Sequence, residues 1–563
     1  MLWRARESVS APPPPYYPVP PPPRMERRRG ISFDHSLSKS YWTWRTNPAL
    51  MVPTLLSTSI SVLAQSIFIV FGTALLVELE TNGSFARITS DLAAQNFAAL
   101  GGVLLSHSVL HLVFEYLGAA LVVTGVVSII ASGYTYSAEY LSYIRAIGDN
   151  SHVGIGTVFS TLKTKWKPMA WTFLLVQVLT FLPVGLFSAL GILLVYGSAS
   201  NPVALLSFLG LFLFGSLLTG FVAFVMIYAT VSVAAENLSG FSAIKRSYHM
   251  VRSNFGLSLI YALVTIISYV IISTVADLAT NIGVPLTSLA SIAITLLIIP
   301  VLHLTKTLIY VQAAAPITPS SNSLVNYGVI QGRGFGETFG SVSGLKDLLG
   351  GPFYRFALRK LKEGIYGLKN YALNWRNLPY HFASALALVI GIIVGLQIGT
   401  HGLDNAILAL GYQPGRINPT ILGDVPLTAG LDIFLHNWEV SLATALSGMW
   451  FIAPSLLTLG FNGLILGVVY YLTPNFTMFA AAIFPHGSIE LPSFVISGSA
   501  GMRLGVSFIK TLGKGKDSPE EQRFEIVARE TIYIVIGLAV LFFIAGLIEG
   551  NITPIIMRMY GWK

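Results

Sequence analysis

Long apolar runs separated by short polar segments fill most of the chain from residue 51 onward. A helix needs about 20 apolar residues to cross a bilayer core of about 30 Å. Before residue 314 the runs of suitable length are Met51–Leu79, Phe97–Tyr134, Met169–Tyr196, Leu205–Val233, Leu257–Ala276 and Leu286–His303. Within the second run we expect a surface or tilted helix that leads into a span near Leu117–Ser132. The pattern therefore predicts about six transmembrane helices in this part of the chain.

A second group of apolar runs begins after residue 371. These runs are Phe382–Ile398, 440–459, 461–473, 478–484, 491–509 and 531–548. Several are short and are separated by Asn462-Gly463, Pro474 and Pro485. Helices interrupted at glycine or proline are tolerated inside a membrane where protein or water satisfies the freed backbone groups. We therefore predict an all-α, polytopic transmembrane protein with about 10 to 11 spans in two membrane domains, some of its helices being broken at glycine or proline.

The polar segments divide the chain into four parts. Residues 1–46 form a Pro/Arg-rich tail, 47–313 the N-terminal six-helix membrane domain, 314–370 a Gly-rich linker followed by a basic helix, and 371–563 the second membrane domain. Basic residues at helical spacing mark the end of the linker: Arg355, Arg359, Lys360, Lys362 and Lys369. A basic amphipathic helix lies favourably on an anionic membrane surface. We expect these residues to contact lipid headgroups or a partner protein.

Composition and charge agree with a lipid environment. Only 10% of the residues are charged and 53% are hydrophobic, and the mean hydropathy is +0.69. The net charge of +9 arises mainly in every second polar segment, and the positive-inside rule explains this alternation with the N-terminus in the cytoplasm of a multi-pass cell-membrane protein. A nucleic-acid partner is therefore not expected. The sequon at Asn82 then faces outward and is a candidate for glycosylation, as is the sequon at Asn551.

Groups that could carry catalysis are missing from the sequence. The chain has no cysteine, so thiolate catalysis and cysteine-ligated metal sites are excluded. It contains no HExxH or GxSxG motif and no ATP-binding loop. His107, His111 and Glu115 share one helix face, but the outer two are about 12 Å apart along the helix axis and cannot bind the same ion. The sequence predicts no catalytic residue, no metal site and no cofactor, and thus a protein that is not an enzyme.

Several short elements follow one another between residues 370 and 556. They are Asn462-Gly463, the segment Pro485-His486-Gly487-Ser488-Ile489-Glu490-Leu491-Pro492, the glycines Gly498, Gly501 and Gly505, and Glu549 ahead of Thr553-Pro554. In this order they resemble the stage II sporulation protein M (SpoIIM) family, and the PHGxxExP element is the most specific of them. Ser493 departs from the family, which tends to have alanine there. The long N-terminal extension also departs from the short bacterial form.

The resemblance implies a polytopic membrane protein. Bacterial members of the family hold peptidoglycan-degrading enzymes in a complex during sporulation, and members also occur in archaea and in organisms that form no spores. Residues 135–315 show a weaker resemblance, carried by the segment 235–248, to six-helix membrane domains such as those fused to glycerophosphodiester phosphodiesterases. No phosphodiesterase carboxylates accompany that segment.

His486 and Glu490 form the main chemical hypothesis because they are four residues apart and share a helix face. Pro485 suits a helix start and Pro492 disturbs a helix, so we expect a short helical piece between them. Ionisable residues inside a membrane are expensive and suggest a function. Three interpretations stay open: a His–Glu hydrogen bond that locks a broken helix, a proton or ion site, and a docking site for a partner. Glu549 is expected near the same pair.

The small residues of this region suggest packing. Gly498, Gly501 and Gly505 recur at spacings of three and four, which allows helices to approach closely. Asn462 and Gly463 interrupt an apolar run. The Asn462 side chain either hydrogen-bonds across helices or caps a helix end, and we favour the cap.

Two functions are compatible with these patterns. The first is a non-enzymatic membrane scaffold that organises or recruits envelope or membrane-associated partners, such as an envelope enzyme or an ATPase. The second is a transporter or permease component with an ion or substrate site at His486 and Glu490, since discontinuous helices often form substrate sites. The lipid bilayer is the other expected partner, and self-association into a homo-oligomer is compatible with both functions.

Overall fold

The structure is a computed structural model that describes most of the apolar chain. The described residues are 32–94, 96–104, 106–148, 153–195, 202–281, 294–314, 351–401, 427–450, 452–473, 475–514 and 518–560. Within these ranges every regular element is helical. Ten helices there are long and apolar enough to cross a membrane. The prediction of an all-α, multi-pass membrane protein is confirmed. The tail before residue 32, the Gly-rich linker at 315–350 and the loop at 402–426 lie outside the described residues.

Among its described residues, the N-terminal half contains twelve α-helices, which we number in chain order. They are α1 (Phe33–Thr46), α2 (Val52–Thr81), α3 (Ser84–Ala93), α4 (Phe97–Leu104), α5 (His107–Gly148), α6 (Ile155–Thr161), α7 (Trp166–Val195), α8 (Pro202–Val225), α9 (Ala229–Glu236), α10 (Phe241–Ser253), α11 (Phe255–Asn281) and α12 (Ile299–Ala314). The candidate spans among them include α2, α5, α7, α8, α11 and α12. The short helices α6 and α10 connect these spans, and α9 continues the candidate span that begins with α8.

The C-terminal half contains α13 (Gly351–Ala372), α14 (Leu378–His401), α15 (Leu427–Ser447), α16 (Ile452–Leu472), α17 (Phe476–Thr511), α18 (Pro519–Leu547) and α19 (Thr553–Met559). The candidate spans are α14, α16, α17 and the continuous stretch of α18 and α19. The apolar run predicted at 440–459 is divided, because α15 ends at Ser447 and α16 begins at Ile452. Hydropathy alone hides this boundary since both helix ends are apolar.

Part of the stretch assigned to the N-terminal tail is a packed helix. In α1 the Ser32 side chain caps the first turn by accepting from the backbone N–H of His35 at 3.3 Å. The indole N–H of Trp44 donates to the carbonyl of Leu296 at 3.1 Å. Buried serines line the inner side of α1, which makes its hydropathy too low to be recognised as a membrane element from the sequence.

The second apolar run also differs from its prediction. A short helix, α4, precedes the span as expected, but α5 then continues without interruption over 42 residues, far beyond Ser132. Its second half is buried and polar, with Tyr140 and Tyr143 fully enclosed. A helix can continue past the hydrocarbon boundary when protein covers it, so hydropathy underestimates its length.

Glycines bring α14 and α16 into backbone contact. Each helix carries a GxxxG sequence, Gly391–Gly395 on α14 and Gly463–Gly467 on α16. A Cβ atom on Gly391 would fall on the carbonyl oxygen of Gly460, and one on Gly463 would fall on that of Leu388. Small residues allow this approach, and van der Waals packing between helices is a main source of stability in lipid.

The two halves share one buried apolar cluster. It joins Leu56 and Tyr134 of the N-terminal half to Trp450, Phe508 and Phe524 of the C-terminal half. The indole N–H of Trp450 donates to the hydroxyl of Ser59 at 2.7 Å. The Tyr134 ring meets the Phe508 ring edge-on at 5.6 Å between centroids. The two predicted membrane domains are therefore in direct contact through a packed interface.

Polar contacts extend this interface at one end of the helices. The Lys163 ammonium donates to the carbonyl of Thr511 at 3.2 Å and lies 3.6 Å from the Glu521 carboxylate. Next to this pair, the rings of Phe159 and Phe524 pack edge-to-face at 5.6 Å. Two of the basic segments of the sequence, around residues 163 and 511, thus meet in space.

Candidate intramembrane site

The helix α17 carries the PHGxxExP element without a break. It is capped at its N-terminus by Asn475, whose side chain accepts from the backbone N–H of Met478 at 2.9 Å. Pro485 and Pro492 lie inside it, so the predicted breaks at these prolines and the short piece between them are wrong. Each proline removes one backbone hydrogen bond. α16 packs on α17 on both sides of the prolines: the Tyr470 ring meets the Phe479 ring at 5.0 Å before Pro485, and Leu459 lies against Gly498 after Pro492.

Three ionisable side chains converge between α17 and the last helices. His486 and Glu490 lie on one face of α17, and Glu549 lies in a π-helical turn, Ile548–Ile552, between α18 and α19. One ligand atom from each side chain can be chosen so that all three lie within 4.8 Å of one another. The turn is closed by the N–H of Thr553, which donates to the carbonyl of Ile548. Such π turns are frequent at functional sites.

The hydrogen bonds of His486 differ from the predicted His486–Glu490 hydrogen bond. The imidazole is 8% exposed, its Nδ1 lies 3.2 Å from the Thr553 hydroxyl, and its Nε2 lies 3.9 Å from the Glu549 carboxylate. One oxygen of Glu490 is buried without a hydrogen-bond partner among the described residues. The expected His486–Glu490 hydrogen bond is not formed, because the ring is directed toward α19. Sequence reasoning missed Thr553, although the threonine of the closing Thr-Pro element was the available signal.

Asn462 and Gly463 lie in the middle of α16. The Asn462 amide donates to the carbonyl of Thr458 in the same helix at 2.9 Å, so the predicted helix cap is wrong. The helix does not need a cap there, because Gly463 is required for contact with α14 and not for a turn. The real boundary falls between Leu472 and Phe476, at the predicted Pro474 break; Pro474 itself is outside the described residues.

Each of the three glycines that follow the PHGxxExP element is in close contact with a neighbouring helix or turn. A Cβ atom on Gly498 would overlap Leu459, one on Gly501 would overlap the Ser455 hydroxyl, and one on Gly505 would overlap the backbone of Gly448. Gly487, within the element, is itself buried beside His486. These positions fix α17 against α15 and α16, and so they position the ionisable cluster on the same helix.

The basic helix α13 has two different faces. Its inner face packs on α18, where Gly364 meets Gly537 and the Lys360 ammonium donates to the Tyr533 hydroxyl at 2.6 Å. Lys360 also donates to Glu363, and this hydrogen bond lowers the pKa of the Glu363 carboxyl. On its outer face Arg359, Lys362 and Lys369 are exposed with Tyr366 between them. The side chain of Arg355 lies outside the described residues.

The remaining candidates lie apart from this cluster. Asn82 is exposed at the end of α2 and accepts from the backbone N–H of Ser84 at 2.8 Å. The sequon at Asn551 is a poor acceptor for glycosylation, because its threonine, Thr553, is only 4% exposed and contacts His486. His111 and Glu115 are more than 60% exposed and lie 3.6 Å apart.

Sequence reasoning missed a second buried cluster, in the N-terminal half. The Glu139 carboxylate of α5 is 2% exposed and meets Nδ1 of His303 on α12. Lys306, one turn further along α12, is 8% exposed and lies over the Tyr140 ring at 5.1 Å. An ionisable residue inside a long apolar segment was the signal for this cluster. Here acid and base occur together, so their charges compensate.

Comparison with known proteins agrees with these motifs. Residues 384–554 match the family model of stage II sporulation protein M. This match confirms the resemblance inferred from the PHGxxExP element and its neighbours. The C-terminal membrane region, which contains the ionisable cluster, is thus similar to this family. The weaker resemblance of residues 135–315 stays a prediction.

A search of curated proteins found a relative that matches a stretch of similar length. An uncharacterised protein of Methanocaldococcus jannaschii is 28% identical over 169 residues, which is 30% of this chain and 76% of that protein. No solved structure matches the chain.

Proposed function

We propose that the protein is a non-enzymatic membrane scaffold of the SpoIIM type, which holds envelope or membrane-associated proteins together at the cell membrane. The observation that carries this proposal is the buried interface at Trp450, where the SpoIIM-like region packs against the N-terminal helices. A region that already holds one helical membrane module through a well-packed surface is suited to holding others. The absence of a catalytic motif in the sequence is compatible with this role.

The outer face of α13 is the surface that we assign to recruitment. Arg359, Lys362 and Lys369 recur at helical spacing along one side of the helix, and the opposite side is fixed on α18 through Gly364. Because the inner face of α13 is packed on α18, its basic side chains stay together on the opposite, exposed face. Such a surface attracts an acidic protein segment or anionic lipid headgroups.

The same proposal places the N-terminus in the cytoplasm. Charge alternation along the sequence favours this orientation. The contact of Lys163 with Thr511 and Glu521 supports it, because two separate basic segments lie at the same end of the helices. The basic face of α13 is then cytoplasmic, and the candidate partner is a cytoplasmic or membrane-bound protein such as an ATPase.

The test is a gentle-detergent purification from native membranes, with the companions quantified by mass spectrometry. We expect a stoichiometric companion with the wild-type chain. In the triple variant Arg359→Gln/Lys362→Gln/Lys369→Gln its recovery should fall about tenfold or more, since three favourable charge contacts are lost.

The matched control removes exposed charges elsewhere. Lys245 and Arg252 are both exposed on α10, and the variant Lys245→Gln/Arg252→Gln should keep its companion. A wild-type chain that purifies alone, or equal losses in both variants, would contradict recruitment through α13.

A second candidate function is favoured by one observation: a carboxylate oxygen of Glu490 is buried and has no hydrogen-bond partner in the described part of the chain. A buried polar atom without a partner is costly and is usually retained for a reason. In a transporter component this oxygen would bind the transported ion or proton inside the membrane.

Flux in liposomes distinguishes this candidate. If Glu490 is a transport group, Glu490→Gln abolishes ion flux and leaves thermal stability in detergent unchanged, whereas Glu115→Gln on the exposed row of α5 changes neither. A loss of stability with unchanged flux would instead support a purely structural role for Glu490. If both quantities are unchanged, neither role holds.

A further inference from the structure

We propose that His486, Glu490 and Glu549 bind one divalent metal ion of the zinc class between α17 and the π turn. The proposal goes beyond the scaffold role and does not depend on partner recruitment. It would also name the class of ion for the transport alternative.

The geometry brings the required atoms together. The three ligand atoms lie within 4.8 Å of one another, and Nε2 of His486 is 3.9 Å from Glu549. Ligand atoms bonded to one tetrahedral zinc ion at about 2.1 Å are about 3.4 Å apart. The ligand atoms of the cluster are thus on the order of 1 Å further apart than in a zinc site. Rotation of the two glutamate side chains can close this difference. The backbone positions need not move.

The chemistry of the donors selects the ion. One imidazole nitrogen and two carboxylate oxygens suit Zn²⁺ and related first-row divalent ions, whereas Ca²⁺ and Mg²⁺ prefer six or more oxygen ligands. Three protein ligands with an open position for water resemble the coordination of zinc sites that bind further ligands. Since the chain has no cysteine, a thiolate site elsewhere in it cannot compete for the ion.

Charge balance supports a cation at this place. Glu490 and Glu549 form no ion pair with a lysine or arginine among the described residues, and His486 is their basic neighbour. The other buried cluster of the protein contrasts with it, because Glu139 has both His303 and Lys306 nearby. Two carboxylates in a low-dielectric span are expensive to charge together. A single divalent ion would neutralise both.

Hydrogen bonding already orients the imidazole for this purpose. The Thr553 hydroxyl lies 3.2 Å from Nδ1 of His486 and can accept a hydrogen bond from its N–H. This tautomer leaves the lone pair of Nε2 directed toward Glu549. Metal-bound histidines usually have their other ring nitrogen fixed in this way. The buried, unpartnered oxygen of Glu490 is an independent sign of a missing ligand.

Access is available from the side of α19. The Glu549 side chain is 33% exposed. The site lies about ten residues from the start of α17, or about 15 Å along its axis.

The experiment measures zinc binding to the full-length protein in detergent, purified without a histidine tag and stripped with a chelator. After equilibration with Zn²⁺ we expect one ion per chain by elemental analysis, and with Co²⁺ a visible absorption band from a histidine–carboxylate site. Zn²⁺ affinity, measured by competition with a chromophoric chelator, should fall at least 100-fold in Glu490→Gln/Glu549→Gln. Thr553→Val should weaken it about 10- to 100-fold, because only the orientation of the imidazole is lost.

The control is the exposed His–Glu row of α5. His111→Gln/Glu115→Gln should bind zinc as the wild type does. If the double glutamate variant does not fold, His486→Gln and the zinc-induced rise in melting temperature of the wild type provide the same comparison. Absence of zinc binding by the folded wild type, or equal affinity of the wild type and the cluster variants, would overturn the proposal.

Discussion

Replacing Gly463 with alanine should destabilise the C-terminal half, because this glycine lies where α16 contacts the backbone of α14. The new Cβ would fall on the carbonyl oxygen of Leu388, and a backbone atom cannot rotate away. Overpacking of this kind costs about 1–3 kcal/mol and more where the backbone must move. We expect the melting temperature in detergent to fall by about 5–10 °C, with aggregation on longer heating.

Gly460→Ala is the matched control on the same helix and the same interface. Its Cβ would lie 3.6 Å from the carbonyl of Ala387, which is ordinary van der Waals contact. Because alanine favours a helix over glycine by about 1 kcal/mol, the control should be unchanged or slightly stabilised. The two substitutions are thus expected to have opposite signs. Equal effects would show that α14 and α16 are not in backbone contact.

Trp450→Ala should weaken the interface between the two halves of the molecule. The indole is 4% exposed, and it loses both its packing against Tyr134 and its hydrogen bond to Ser59. Truncation of a buried tryptophan costs about 3–5 kcal/mol. The measurement uses a protease site inserted between residues 314 and 351. After cleavage we expect the wild-type halves to co-elute and the variant halves to separate.

An exposed tryptophan is the control for this substitution. Trp375 is 78% exposed, so Trp375→Ala should leave co-elution unchanged and alter stability by about 0.5 kcal/mol or less. Ser59→Ala removes only the hydrogen bond, which is worth about 0.6–1.7 kcal/mol inside a membrane, and should have an intermediate effect. Co-elution of the cleaved Trp450→Ala halves would mean that other contacts, such as Lys163 with Glu521, are sufficient.

The sequence elements of the SpoIIM-like region fall into two groups in the structure. Gly463, Gly498 and their neighbours bring helices together, whereas His486, Glu490 and Glu549 form a cluster of ionisable groups. Stability measurements should therefore respond mainly to the first kind and ion binding mainly to the second. Thr553 belongs with the ionisable cluster because its hydroxyl faces His486.

The sequence by itself determined the class of the protein. Apolar runs long enough to cross a bilayer, few charges and the order of the SpoIIM-like elements were sufficient for an all-α membrane protein with an ionisable motif in its C-terminal region. These properties are local, because transfer into lipid depends on the composition of each segment and not on its neighbours. For the same reason the sequence indicated that His486 and Glu490 share a helix face.

Only the tertiary structure decided where helices end and which side chains meet. Pro485 and Asn462 are helix breakers in isolation, but packed neighbours keep α17 and α16 continuous through them. The partner of His486 is Thr553, 67 residues away, and the partner of Trp450 is Ser59, 391 residues away. Contacts at such separations depend on how helices pack, and glycines such as Gly463 set that packing through backbone atoms that no hydropathy pattern records.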